Sequence, residues 1–300
     1  MVDFYQNITT LDEGKQLVTE GFSAEVLQLV TNASVCEPYL NVWPMNHKVE
    51  NVSTITQEAT AYFVKCEADV KAKTGIKFGP FKMELEEIAT IIPFTEEWVK
   101  FANAQTNVLL ENAIVKAITK LIDQAYLGYE ATSPYPASIS GDIPAGNIVP
   151  LSTGVGADLL IDLSDAMGKV EETGYIPNGW AAPLSLKARL RNLRTLEGLP
   201  IFQPANATEP ATLYGLPIRF SANMIDTGSP ATKEIIVGDW SQAYKGNDQA
   251  IEFKMLDQAT ITINNKPVNL AEQDMVAIRA KVWKAFNVLR PEAFAKVIGF

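Results

Sequence analysis

The chain has 300 residues, 47% of them hydrophobic, and a formal net charge of −10 at pH 7. This length and composition predict a globular protein with one large or two ordinary domains, and the acidic balance argues against gripping nucleic acid through its phosphates, which requires a basic face. The sequence has neither an apolar run of about 18 residues for a membrane span nor a signal-peptide pattern at its start, which predicts synthesis in the cytoplasm.

Residues 1–23 are polar and weakly periodic, which predicts an N-terminal arm with little core of its own. Ser23 opens a short helical pattern that continues to Val30. From Val49 to Leu85 the pattern predicts two long strands, with too few apolar residues for a free-standing hairpin. We therefore expect the loop of residues 50–83 to project from the domain and to contact other chains.

The segment Phe78–Leu127 predicts a strand that leads directly into a long helix. Alternate residues of Phe81–Leu85 are apolar, as in a strand with one packed face. The pattern breaks at Pro93, and a helical pattern follows, with Asn107 as the expected N-cap and Gly128 at the expected end. The apolar stripe of this amphipathic helix comprises Leu110, Ala113, Ile114, Ala117, Ile118, Leu121, Ile122 and Ala125.

The C-terminal half predicts helices and strands without a regular repeat, which makes the fold class α+β. Residues 133–156 are rich in proline, glycine and serine and are interpreted as a connection between two lobes. Helices are predicted for Asp158–Gly174 and for Pro183–Leu196, whose basic side we interpret as solvated or subunit-facing. Strands are predicted for Ile218–Ala222, Ile235–Gly238, Ile251–Leu256, Ala259–Ile263 and Val276–Trp283.

Few residues of this sequence are suited to catalysis. His47 is the only histidine and is expected in a surface turn, which nearly removes histidine-based triads and metal sites. Cys36 and Cys66 have no Cys-x-x-Cys partner and are expected to be free thiols, with a disulfide as the alternative. Phosphate-loop and nucleophile-elbow motifs are missing from the sequence. We therefore predict no catalytic site, no cofactor and no metal site.

Charge is distributed unevenly along the chain. Acidic residues are concentrated near the N-terminus, and basic residues near the C-terminus. The acidic set is Asp3, Asp12, Glu13, Glu20, Glu25 and Glu37, and the basic set is Arg279, Lys281, Lys284, Arg290 and Lys296. We interpret these charges either as solvated surface or as complementary contacts between neighbouring subunits, which would set register more than affinity.

Five blocks of the sequence resemble the major capsid proteins of tailed bacteriophages. FGPFKMELEEIATIIPFTEEW (Phe78–Trp98) is similar to the segment that leaves the family's extended loop and enters its spine helix. The other blocks are Gly174–Phe202, Leu213–Ser221, Glu234–Tyr244 and Asp274–Val297. All five occur in the family's order, and the resemblance extends over nearly the whole chain from about Phe22 onward.

The resemblance implies the Hong Kong 97-type capsid fold. Its parts would be an N-terminal arm (1–23), a peripheral domain with the spine helix (24–49, 84–131 and 256–300), an extended loop (50–83) and an axial domain (132–255). Many family members carry an N-terminal scaffolding segment that a phage protease removes. Here the scaffold is either a separate protein, or the chain is an already trimmed form.

The function that the resemblance implies is that of a major capsid protein. Copies would form pentamers and hexamers that close as an icosahedral shell around double-stranded DNA, without sequence-specific binding and without a membrane. The implied partners are portal, scaffolding and cement proteins, and the implied location is the virion. The alternatives are an encapsulin-type shell, which holds a cargo enzyme, and, more remotely, a soluble enzyme with an unrecognised carboxylate site.

Four apolar residues of the projecting loop are candidates for the subunit interface. They are Tyr62, Phe63, Ile76 and Phe78. One hairpin cannot bury them all, and exposed patches of this kind usually mark a partner surface. We therefore predict that the loop lies over a neighbouring subunit.

Three further interface candidates follow from the cross-link of the family's best-known member. That bond joins a loop lysine to an asparagine of a neighbouring subunit, with a buried glutamate as proton acceptor. Lys71 matches the loop lysine, but Asp274 occupies the asparagine position and Lys281 the glutamate position. A carboxylate at pH 7 is a poor acyl acceptor, and a lysine cannot take the proton. The resemblance therefore implies a shell without covalent cross-links.

Overall fold

The computed structural model describes residues 28–57, 59–61, 63, 74–97, 104–130, 132–152, 157–192, 202–203, 211–224, 233–247, 251–263 and 266–300. The predicted N-terminal arm and the expected helix start at Ser23 lie outside these residues. The described helices are α1 (Ala104–Leu127), α2 (Ala157–Glu172) and α3 (Lys187–Arg191), and residues 28–33 form a further helical turn. The described strands are β1 (Asn41–Pro44), β2 (Val49–Gln57), β3 (Lys77–Thr95), β4 (Ile148–Pro150), β5 (Gly179–Pro183), β6 (Phe202–Gln203), β7 (Thr212–Leu213), β8 (Leu216–Ser221), β9 (Glu234–Gly238), β10 (Ala243–Asn247), β11 (Glu252–Leu256), β12 (Thr260–Ile263), β13 (Lys266–Asn269), β14 (Met275–Val288) and β15 (Phe294–Ile298).

One sheet has six described strands, of which five follow the order β1–β10–β14–β3–β2 and the sixth, β11, also pairs with β14. Its first face packs on α1, because the inward residues of β3 and β14 join the core cluster that contains Ile118 and Ile122. Its second face carries a smaller core of Met45, Phe81, Met83, Leu85 and Ala285. Trp43 of β1 and Val52 of β2 both pack on this smaller core although they belong to opposite edges. The sheet therefore curls around it.

Strand β3 is longer than the sequence pattern predicts. The burial of alternate residues in Phe81–Leu85 is confirmed, but the predicted break at Pro93 is wrong, since β3 continues to Thr95. Pro93 pairs with Ala277 in an unbroken antiparallel ladder with β14. Among the described residues, β3 pairs on its other side with β2 between Lys77 and Glu84 only, so Pro93 lies where β3 has no described neighbour on that side. An edge position tolerates the missing N–H of proline.

Helix α1 confirms half of the predicted apolar stripe. Ile114, Ile118, Ile122 and Ala125 are buried, whereas Ala113, Ala117 and Leu121 are exposed on the flank. The helix ends at Leu127, and Gly128 has a φ of +90°, a left-handed conformation that suits glycine at a helix end. The prediction of Asn107 as the N-cap is wrong, because the chain is already helical at Ala104.

The described part of the second large sheet has seven strands, in the order β4–β15–β9–β5–β8–β7–β6. Helix α2 packs on it through Leu163, Ala166 and Val170, which are fully buried. The predicted helix Pro183–Leu196 is partly wrong: Pro183 ends β5, a 3₁₀ turn follows, and α3 spans only Lys187–Arg191. The end of that prediction, residues 193–196, lies outside the described part of the chain.

Sheet membership departs from the predicted domain boundaries at three strands. β11 begins in the range assigned to the axial domain, yet it pairs with β14 of the six-stranded sheet. β15 lies in the residue range assigned to the peripheral domain, yet it pairs with β4 and β9 of the seven-stranded sheet. β10 lies in the range assigned to the axial domain, yet it pairs with β1 and β14 of the six-stranded sheet. The sheet to which a strand belongs is decided by pairing with strands that are distant in sequence, and the local sequence pattern carries no information about that pairing. The division into domains stays a prediction.

Candidate subunit-contact surface

The base of the projecting loop carries exposed apolar side chains on paired strands. Phe78 of β3 lies opposite Ile55 of β2, and these side chains are 64% and 44% exposed. Ile76 is 49% exposed just before β3, and Phe63 is 99% exposed. Full burial of one such side chain is worth about 1.5–3 kcal/mol, so this cluster would stabilise a contact with a second surface. Tyr62 lies outside the described residues.

The loop base is held to the C-terminal part of the chain by polar contacts. The guanidinium group of Arg290 donates a hydrogen bond to the backbone oxygen of Ile55. Asn287 Nδ2 donates to the backbone oxygen of Lys82, at 2.6 Å. At the corner between β1 and β2, Glu50 accepts hydrogen bonds from Trp43 Nε1 (3.1 Å) and from the backbone N–H of Asn46 (2.7 Å). The exposed apolar cluster therefore sits on an anchored base.

Lys281 lies on β14 and its ammonium group is already paired. The distance from Nζ to the Glu252 carboxylate is 3.4 Å, and Nζ lies 5.6 Å from the centre of the Trp283 ring. Lys48 approaches the same ring at 5.7 Å. A cation held between a carboxylate and an aromatic face cannot accept a proton.

Asp274 occupies an exposed turn immediately before β14. Its φ of +48° is left-handed, and its backbone oxygen accepts a hydrogen bond from the N–H of Glu96 at 2.8 Å. Lys281 lies seven positions further along the chain, about 23 Å away at strand spacing, so the structure does not bring these two candidates together. Lys71, the third residue of this predicted group, lies outside the described residues.

Several charges that the sequence analysis placed on solvated or intersubunit surfaces are paired inside the chain, and that expectation is wrong for them. Lys284 Nζ lies 2.8 Å from the Glu37 carboxylate, and both side chains have zero exposure. Lys245 Nζ donates to the backbone oxygen of Glu37 at 2.9 Å. Lys296 pairs with Glu234 at 3.2 Å. Glu37 of the acidic set and Lys284 of the basic set do pair, but they pair within one molecule and not between neighbouring subunits.

The carboxylate of Glu37 is held ionised by its neighbours. Burial alone would raise its pKa, but the ammonium groups of Lys284 and Lys245 keep the pKa of Glu37 below its ordinary value. Burial lowers the pKa of Lys245, and Glu37 opposes that effect. Two ammonium groups thus share one buried carboxylate.

A second buried carboxylate, Asp123, lies on α1. Oδ1 accepts hydrogen bonds from Ser34 Oγ (2.6 Å) and the Val35 N–H (3.1 Å), and Oδ2 accepts one from Asn223 Nδ2 (3.0 Å). Burial raises the pKa of Asp123, and these hydrogen bonds oppose the effect. Cys36 is a buried free thiol, as predicted, and its pKa is raised by burial first and then by Asp123. Cys66 lies outside the described residues.

Sequence reasoning missed both carboxylate clusters, although signals for them were present. Lys284 has the same strand parity as Val282 and Phe286, which face α1, so alternation alone places this lysine inside. Asp123 follows Thr119 by one helical turn and adjoins the apolar stripe at Ile122. A charged residue within an inward-facing pattern is the signal of a buried polar cluster.

Other classes of site have no support among the described residues. Within those ranges, no group of three or more His, Cys, Asp or Glu side chains could hold a metal ion. His47 is exposed in a bend, as predicted. None of the described helices is long and apolar enough to cross a membrane.

A model of the phage capsid family matches residues 14–298 of the chain. The major capsid protein of Staphylococcus phage 80alpha is 28% identical over 221 residues. That match covers 72% of this chain but only 64% of the relative, so the chain spans less than two thirds of that protein's length.

Solved structures share the fold along most of the chain. A chain from Microbacterium phage Oxtober96 superposes with a TM-score of 0.71 at 23% identity, covering 89% of this chain and 91% of that one. A chain from Mycobacterium phage Adephagia gives 0.70 at 23% identity, with coverage of 96% and 97%. The capsid of a native GTA particle gives 0.64 at 15% identity, with coverage of 88% and 89%. The predicted α+β, Hong Kong 97-type architecture is confirmed, and the chain belongs to the phage capsid family, a family of structural virion proteins rather than enzymes.

Proposed function

We propose that the chain is the major shell subunit of a tailed phage, forming pentamers and hexamers that close as an icosahedral head around double-stranded DNA. The observation that carries this proposal is the family match over residues 14–298, which includes both sheets and α1. The exposed cluster at the loop base supports it, since a free-standing monomer gains nothing from exposing Phe63 and Phe78. Assembly takes place in the host cytoplasm, with portal, scaffolding and cement proteins as partners.

The acidic total suits a container rather than a DNA-binding protein. A wall that carries a net charge of −10 per subunit does not hold the polyanion tightly, so DNA can slide during packaging and ejection. The alternative, an encapsulin-type shell, shares the fold and encloses a cargo enzyme. Particles purified with their natural contents decide between them: nuclease-protected double-stranded DNA is expected, and peptide-tagged cargo protein without nucleic acid would contradict the proposal.

The shell is further proposed to be held without covalent bonds between subunits. Lys281 supports this, because its ammonium group is committed to Glu252 and Trp283 and cannot act as a base. Mature particles boiled in detergent with reductant should therefore migrate as a single band at the monomer position. A ladder of multimers that survives reductant would contradict this proposal. The matched control is Lys71→Arg, which keeps the charge and removes the amine nucleophile, and its band pattern should equal that of the parent.

A further inference from the structure

Residues 31–40, called the strap below, connect the two large sheets through polar contacts on both sides. The strap begins within the helical turn at 28–33 and continues directly into β1. It is therefore covalently part of the six-stranded sheet at its C-terminal end. Its side chains and carbonyl oxygens also reach the seven-stranded sheet and α1.

The attachment to the six-stranded sheet is the buried cluster around Glu37. The carboxylate binds Lys284 of β14 at 2.8 Å, and the backbone oxygen of Glu37 accepts from Lys245 of β10 at 2.9 Å. All three residues are buried. An ion pair in this environment is sensitive to geometry, because its attraction offsets the cost of desolvation only when the groups are well placed.

The attachment to the seven-stranded sheet uses Tyr39 and Arg219. Tyr39 Oη donates to the backbone oxygen of Pro217 in β8 at 3.2 Å, and its ring lies 5.2 Å from that of Trp240. Arg219 of β8 donates to the backbone oxygens of Asn32 (2.8 Å) and Ser34 (3.2 Å). Three hydrogen bonds thus join the strap to β8, and one ring contact joins it to Trp240, which follows β9.

The Tyr39 ring can approach β5 closely because residue 179 is a glycine. A Cβ atom at this position of β5 would lie 3.0 Å from Tyr39 Cε1 and 3.1 Å from Tyr39 Cζ. The Tyr39 ring therefore packs directly on the backbone of the seven-stranded sheet.

Asp123 joins the strap to a third element. This carboxylate of α1 binds Ser34 and Val35 of the strap on one side and Asn223, which follows β8, on the other. One buried group therefore fixes α1, the strap and the end of β8 relative to one another. Fully satisfied buried polar networks of this kind rigidify and specify a single arrangement.

The apolar core shared by the sheets does not fix their relative orientation. Phe286 of β14 and Phe294 of β15 belong to one core cluster, so the sheets cannot separate without exposing it. Apolar contact is non-directional, however, so one sheet can rotate slightly against the other while the apolar surface between them stays buried. We propose that the strap sets the angle between the two sheets, with Glu37, Tyr39 and Asp123 as its anchors.

The test measures that angle in the full-length chain. Cysteines replace Lys254 on β11 and Leu184, the residue that follows β5, in a Cys66→Ser background, and carry spin labels. Both replaced side chains are exposed. Labelled chains are diluted with unlabelled ones so that only distances within a chain contribute. Cys36 is buried, and the chain without introduced cysteines gives the background labelling.

One informative variant combines Tyr39→Phe with Arg219→Met. It removes the strap's contacts to β8 and keeps the Glu37 ion pairs and the hydrogen bonds of Asp123. The other is Asp123→Asn. The matched control is Tyr214→Phe. It removes the hydrogen bond that the Tyr214 hydroxyl donates to the backbone oxygen of Leu160 (2.9 Å), a contact between α2 and the seven-stranded sheet that does not involve the strap. We expect one narrow distance distribution for the parent and the control, and a clearly shifted or broadened one for the strap variants.

An unchanged distance distribution in the Tyr39→Phe, Arg219→Met chain would overturn the proposal. A loss of stability in that chain would not rescue it, because lost stability shows that the contacts contribute to packing and not that they set the angle. If Asp123→Asn does not fold, the milder pair of substitutions still decides. The measurement concerns a single chain, so its failure would leave the proposed shell function standing.

Discussion

The ammonium group of Lys284 and the carboxylate of Glu37 lie 2.8 Å apart in the interior, with zero side-chain exposure, although 247 positions separate them in sequence. Lys245, whose Nζ is 3.6 Å from the other carboxylate oxygen, completes the cluster. The cluster contains two cations and one anion, so the loss of the anion and the loss of one cation should affect stability differently.

Removing the anion should cost more than removing one cation. Glu37→Gln leaves two buried ammonium groups without a countercharge, which should destabilise the fold by about 3–5 kcal/mol. Lys284→Met leaves the neutral Glu37–Lys245 pair and fills the space with a side chain of similar length, so its cost should be clearly smaller. Urea unfolding of unassembled protein measures both. Equal losses for the two variants would contradict this charge balance.

The two buried carboxylates should give opposite pH dependence. The folded pKa of Glu37 is lowered, so its stabilising contribution is complete above its unfolded pKa of about 4.3 and is lost as pH falls through the lower folded value. The folded pKa of Asp123 is raised, so the cost of its ionised form is relieved as pH falls toward about 3.9, its unfolded value.

Unfolding free energies measured from pH 7 downward test this contrast. Relative to wild type, Glu37→Gln should regain stability below about pH 4. Asp123→Asn should lose stability relative to wild type over the interval where Asp123 takes up its proton. Parallel pH profiles for both variants would refute the assignment.

Gly246 should be required where the curled sheet closes on its small core. A Cβ atom at this position would lie 2.4 Å from Met45 Sδ and 2.9 Å from Ala285 Cβ, so Gly246→Ala should destabilise by about 1–3 kcal/mol. The control is Gly168→Ala within α2, where nothing lies within 4 Å of the added atom. Removing a glycine from a helix interior should stabilise by about 0.5–1 kcal/mol. Thermal unfolding should shift in opposite directions for the two variants.

The exposed cluster at the loop base should serve assembly rather than folding. Phe78→Ser removes a 64% exposed ring and should leave unfolding nearly unchanged while sharply reducing particle yield. The comparison is Ile176→Ser, which alters a side chain that is 81% exposed outside the loop. Sedimentation of equal amounts of the two soluble proteins gives the yield. Normal particle formation by Phe78→Ser would remove this residue from the interface.

Local patterns in the sequence predicted the inward face of β3 and the core stripe of α1, because burial on one side leaves a period of two or of about 3.6 residues. They did not predict that β3 continues through Pro93, since that depends on pairing with β14, which follows almost two hundred residues later. Glu37 was misassigned to the surface for the same reason. Its partners Lys245 and Lys284 become neighbours only in the folded chain.

The central claim is that this chain builds a closed shell, and cryo-electron microscopy of the purified, expressed protein tests it most directly. The account predicts icosahedral particles tens of nanometres across, in which pentamers and hexamers are built from the two-sheet subunit and Phe78 lies against a neighbouring copy. A monodisperse monomer that remains unassembled, even with its scaffolding partner supplied, would contradict it.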